Sequence, residues 1–172
     1  MVNLIMKSLV MFSIICALLP ACAKAQQVDN TPVGNLDLEK YLGQWYEIAR
    51  FDHSFERGVE FAKAEYSLMD NGKIKVVNSG IRDGKVKASE GKAKTTDTDG
   101  LLRVSFFGPF YSDYRILMLD DDYRYALVGS GSPKYLWILS RTPQIPDDVK
   151  ASLLLEARLR GYDVGDLIWV KQ

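Results

Sequence analysis

The stretch FAKAEYSLMDNGKIKVVNSGI, residues 61–81, decides the fold. Residues 61–69 are β-prone, and Asp70-Asn71-Gly72 follows them with the Asn-Gly signal of a tight hairpin. Asn and Gly tolerate the positive φ that such a turn needs. Residues 73–81 then alternate, with Ile74, Val76 and Asn78 on one face and Lys73 and Lys75 on the other. That period of two belongs to a strand with one buried face.

The same pattern repeats on both sides of this hairpin. Residues 45–50 form a strand before it. After it, Asp83-Gly84 turns into a more polar strand at 86–95, and Asp97-Thr98-Asp99-Gly100 turns into 101–107. Gly108-Pro109 breaks that strand, and 114–119, 125–128 and 135–139 complete a set of eight. Only then does the period lengthen. Pro146 opens a helix with Asp147 and Asp148 in its first turn; Val149, Leu153, Leu154 and Ala157 recur at helical spacing to Arg160, and Gly161 stops it. Residues 167–170 form a last short strand. Eight consecutive hairpin-linked strands predict an all-β fold, an up-and-down antiparallel barrel, because closure removes exposed edges. A barrel of this size has room for one small ligand.

Composition narrows the chemistry. With 172 residues, 47% of them hydrophobic and 26% charged, the chain suits one folded domain. Basic and acidic residues balance at 22 each without a basic cluster, so a nucleic-acid partner is not expected. One histidine, His53, cannot build a multi-histidine metal site, and Cys16 and Cys22 are too few and too N-terminal for a zinc cluster or disulfide framework. Asp97-Thr98-Asp99-Gly100 lacks the later Glu of a calcium loop, and no phosphate loop or dinucleotide fingerprint occurs, so no metal or cofactor is expected. Asp52-His53-Ser54 holds three triad residue types, but sequence neighbours cannot hold triad geometry. His53 is expected exposed in the loop after the first strand.

Residues 1–25 read as a secretory signal, with Lys7 ahead of the apolar run 8–19 and small residues at 21–25. That run falls short of the ~20 residues that span a bilayer. Ala23-Lys24-Ala25 offers a cut that releases a soluble chain from Gln26, whereas Leu19-Pro20-Ala21-Cys22 resembles a lipobox that would lipidate Cys22. Residues 26–35 are an arm and 36–172 the folded domain.

Three further motifs carry a family resemblance. Gly43-Gln44-Trp45 resembles the Gly-x-Trp signature of the lipocalins, and Leu139-Ser140-Arg141-Thr142-Pro143 resembles their arginine motif. Asp121-Asp122-Tyr123 stands where the family has Thr-Asp-Tyr, with Asp121 in place of the threonine. The stretches 45–52, 105–110, 135–143 and 168–170 resemble more narrowly the bacterial outer-membrane lipoprotein lipocalins and apolipoprotein D. The resemblance implies that Trp45 plugs the closed end of the barrel, with Gly43 beside it and Arg141 across the indole, a cation–π contact of about 1–2 kcal/mol when desolvated.

With Trp45 and Arg141 inward, alternation places Ala64, Tyr66 and Leu68, then Ile74, Val76 and Asn78, on the lumen face. Val104 and Phe106 follow, then Tyr114, Ile116 and Met118, Ala126 and Val128, and finally Tyr135, Trp137 and Leu139. This lining, apolar with a few polar handles, suits an acyl chain with a small polar head. The resemblance implies a carrier of a fatty acid, such as palmitate, or of a lysophospholipid, serving bacterial envelope maintenance. It also implies an outer-membrane lipoprotein facing the periplasm, held by a lipid anchor, and a homodimer. The alternatives are a soluble periplasmic or secreted form, an isomerase-like enzyme on the same barrel, and an envelope interaction protein with a filled barrel. At the open end, Phe107, Phe110 and Tyr111 form either an apolar rim or a patch covered by the arm or the helix.

Overall fold

The computed structural model describes residues 27–172; the expected signal segment, both expected cut sites and Cys22 lie outside the described residues. A short helix α1 (Leu38–Tyr41) leads into β1 (Gly43–Arg50), β2 (Glu60–Leu68), β3 (Ile74–Arg82) and β4 (Lys85–Thr95). Then come β5 (Leu101–Phe107), β6 (Phe110–Leu119), β7 (Tyr125–Gly129) and β8 (Leu136–Ser140). Helix α2 (Asp147–Leu159) and β9 (Ile168–Trp169) complete the chain. Each strand from β1 to β8 pairs antiparallel with the next, and β8 returns to β1, so eight strands close a barrel. β9 adds outside, on β1.

The deciding hairpin has the expected register: Ala64 opposes Asn78, Tyr66 opposes Val76 and Leu68 opposes Ile74. Gly72 takes φ 75° in its turn, a conformation open to glycine at no steric cost. β6 starts earlier than its apolar run, at Phe110, because Gly108-Pro109 is a hairpin turn with Phe107 opposite Phe110. Its polar first half is held by cross-strand chemistry, Arg103 pairing with Asp113 at 3.1 Å. Helix α1 was not expected; the Asp37 side chain accepts from the Lys40 N–H and caps it.

Two cores share the barrel wall. Trp45, Tyr66, Ile74, Val76, Leu102, Ile116, Ala126 and Leu139 pack inside. Ile48, Ala49, Leu117, Leu127 and Ile138 point outward, onto Leu153 and Ala157 of α2. Two bulges decide which residue goes where. In β6 the register shifts between Ile116 and Met118, so Met118 packs with the outer core and not in the lumen. A bulge inserts one residue, and every side chain past it changes face. In β1 the shift between Glu47 and Ala49 turns Ile48 and Ala49 outward and sets Arg50 opposite Trp137, on the lumen side. Leu68, at the far end of β2, is exposed.

Candidate functional site

The barrel floor is sealed by Trp45, fully buried, whose indole N–H donates to the Tyr41 carbonyl at 2.8 Å. The Arg141 guanidinium lies 3.8 Å from the indole centre and donates to the carbonyls of Lys40, Tyr41, Leu42 and Gln44. Gly43, at φ 90°, lets the chain turn beside that guanidinium. Above the plug stand Tyr41, Tyr66 and Tyr114, their hydroxyls joined at 2.6 and 2.9 Å through Tyr114. Burial pushes all three phenols above their ordinary pKa, so they stay neutral and serve as hydrogen-bonding groups.

The lumen is unevenly packed. Ala64, Asn78, Val104, Phe106, Tyr114, Tyr135 and Trp137 are half-buried, whereas Tyr66, Ile74, Val76, Ile116, Ala126, Val128 and Leu139 are buried. The β4–β5 ladder stops at Lys92 opposite Ser105, and Ser89, which shares the Asn78 face, is exposed. The lumen is therefore open to water on this side. Phe106 lies across Gly91, where a Cβ would come within 2.8 Å of its ring. Two surface hollows of about 500 and 430 Å³ lie apart from the lumen, by Arg103 and Tyr111 and by Tyr123 and Arg141.

At the mouth, the β1 bulge creates a buried polar group that strand alternation does not reveal. Arg50, 2% exposed, donates to Glu47 Oε1 at 2.6 Å and to the carbonyls of Glu56 and Val59. Glu56 accepts from the Trp137 indole at 3.0 Å, and Arg82 donates to the Phe55 carbonyl. These bonds fasten the loop between β1 and β2 over the lumen. Burial, then the Glu56 charge, push the Glu47 carboxyl up to about 8 against the opposing pull of Arg50. Burial raises Glu56 as well.

His53 departs from expectation: it is 5% exposed, its ring 5.1 Å from Phe55 and 4.9 Å from both Tyr135 and Trp137. The loop folds inward because these aromatic faces remove more apolar surface from water than the imidazole costs to bury neutral. Burial and the Arg50 charge hold its pKa down at about 4. Asp52 pairs with Arg57 at 2.7 Å and Ser54 is exposed, so Asp52-His53-Ser54 does not assemble as a triad. Tyr135 sits just before β8, stacked on Trp137 at 5.9 Å. Sequence reading missed Arg50, Glu56, Arg82 and Tyr41. An Arg closing an apolar strand reads as outward unless a bulge is known.

A lipocalin-like domain model matches residues 36–172. The outer membrane lipoprotein Blc of Escherichia coli K12 is 53% identical over 146 residues, covering 83% of this chain and 82% of that protein. Its Vibrio cholerae namesake is 42% identical over 166 residues, covering 94% and 97%. Rat apolipoprotein D is 42% identical over 125 residues, covering 66% and 65%. Among solved structures, insecticyanin of the tobacco hornworm Manduca sexta superposes with a TM-score of 0.72 at 24% identity, covering 86% of this chain and 87% of that one.

Proposed function

The chain belongs to the lipocalin family, and from that premise we propose that it carries a fatty acid or a lysophospholipid in the upper half of its barrel. The observation behind this reading is the graded burial of the lumen. Trp45 seals the floor, and the half-buried Val104, Phe106 and Trp137 add a mostly apolar lumen face with few polar groups. Relatives at 42–53% identity are outer membrane lipoproteins, and this chain takes the same place in the bacterial outer-membrane envelope. Lipidation at Cys22, a periplasmic orientation, homodimerisation and the division into signal, arm and barrel at residues 25 and 35 are part of the same proposal.

A carrier fits better than an enzyme on this barrel. The inward polar groups include neutral tyrosines, Asn78 and a Glu47 tied to Arg50, with no nucleophile–base–orienter set among the described residues. The test is removal of bound lipid followed by titration with a fluorescent fatty acid. Saturable binding with no turnover of the probe supports the carrier. A folded protein that binds nothing would instead favour a filled barrel, a reading that the tight packing around the three tyrosines supports.

A further inference from the structure

Five buried side-chain polar atoms lack a hydrogen-bond partner among the described residues. Four of them belong to the barrel mouth and upper lumen: Arg50 Nε, Arg82 Nε, His53 Nε2 and Asn78 Oδ1. Buried polar groups are almost always satisfied, so a cluster of orphans in one place points to an absent partner. The two arginine nitrogens are donors, and His53 Nε2 lies 3.8 Å from Glu56 Oε2. Asn78, Gly80 and Arg82 share one face of β3, and the loop carrying His53 and Glu56 lies over it, with Gly80 against Val59 and Glu60. β1 brings Arg50 in from the other side of that loop.

We propose that Arg50 and Arg82, with His53 beside them, form a receptor for the anionic head of the carried lipid, a carboxylate or a phosphate, and that Glu47 is the counter-charge this head displaces. The proposal rests on the carrier reading and names the residues that would hold the head group. Its chemistry is an exchange. Arg50 gives up the bond to Glu47 Oε1 and donates instead to the incoming oxygens, so the guanidinium keeps a charge-assisted partner throughout. A planar guanidinium suits either oxyanion. The tail then lies against Trp137, whose indole holds Glu56, and the half-buried Ala64, Val104 and Phe106.

The experiment compares three probes with one chain length: lauric acid, lauryl phosphate and lauryl alcohol, each titrated at pH 7 into the delipidated protein. The wild type is expected to prefer both anions over the alcohol by about ten-fold or more, the scale of a charge-assisted bond. The two anions compared with each other separate carboxylate from phosphate. Arg50→Gln and Arg82→Gln should collapse the anion-to-alcohol ratio toward unity, and Glu47→Gln should raise it. If Arg50→Gln fails to fold, as its loop contacts allow, Arg82→Gln and Glu47→Gln still decide. Equal wild-type affinity for all three probes, or unchanged ratios in those two variants, overturns the receptor and leaves the carrier standing. Binding of none of the three overturns both.

Discussion

Glu47 and His53 sit within one loop's reach and have opposite effects on stability. Glu47 is raised in the fold from 4.5 to about 8, so the native state binds more protons than the unfolded chain across that interval. Its contribution is complete below 4.5 and is lost as pH rises toward 8. His53 is lowered from 6.5 to about 4, so its contribution is complete above 6.5 and is lost as pH falls toward 4. Between 4.5 and 6.5 the two oppose each other; above 6.5 Glu47 acts without His53. Thermal melts should therefore show Tm falling from pH 6.5 to 8 more steeply in the wild type than in Glu47→Gln, which keeps the raised Glu56; a parallel fall in both would show that Glu47 is not the titrating group. Two tryptophans divide in the same way between binding and folding. Trp137→Ala should weaken fatty-acid binding by about 1–3 kcal/mol with the fold retained. Trp45→Ala should cost about 3–5 kcal/mol of stability, because it leaves a hole beneath Arg141. Titration calorimetry and urea unfolding on the two variants separate the effects, and a stable Trp45→Ala protein would show the plug to be dispensable.

The β5–β6 hairpin matters at the scale of the element. Phe107 and Phe110 are 81% and 79% exposed, so neither the arm nor α2 covers them. Tyr111 is half-buried, with Lys94 Nζ 5.0 Å from its ring. Val86, at the tip of the neighbouring β3–β4 hairpin, and Phe55, in the β1–β2 loop, are also exposed. Apolar tips on three loops at one end suit contact with a membrane or a second subunit during lipid passage. Phe110→Asp should slow lipid uptake from vesicles or break a dimer, with equilibrium affinity for a soluble fatty acid unchanged. Stopped-flow transfer and light scattering measure the two; no change in either would exclude a role for the rim. Elements were largely legible in the sequence because strand alternation and turn residues are local signals. Asp70-Asn71-Gly72 and Gly108-Pro109 both mark hairpin turns in the fold. The single turn α1 escaped notice, since its cap is one Asp and its packing comes from Tyr41 against Trp45, 5.0 Å away.

For the whole molecule, the open prediction is attachment. Mass spectrometry of the mature protein should find a diacylglyceryl-modified Cys22 at its N-terminus; an unmodified Gln26 start would mean that the barrel is released. A tether would hold the apolar rim near the bilayer and raise its effective concentration there. The sequence by itself determined the class of fold, the order of the strands and the terminal helix, which follow from periodicity and turn chemistry that are local along the chain. The plug pair Trp45 and Arg141 was legible through the family resemblance of their motifs. Only the tertiary structure decided which side of the wall Met118 and Arg50 occupy, since a bulge adds one residue against a partner strand and leaves no mark on the alternation itself. It also decided that His53 is buried, because the rings that cover it come from Phe55 beside it and from Tyr135 and Trp137 some eighty positions away. At the polar mouth, Glu47, Arg50, His53 and Glu56 come from one short stretch that the β1 bulge and its loop fold together, and barrel closure adds the remote Arg82 and Trp137.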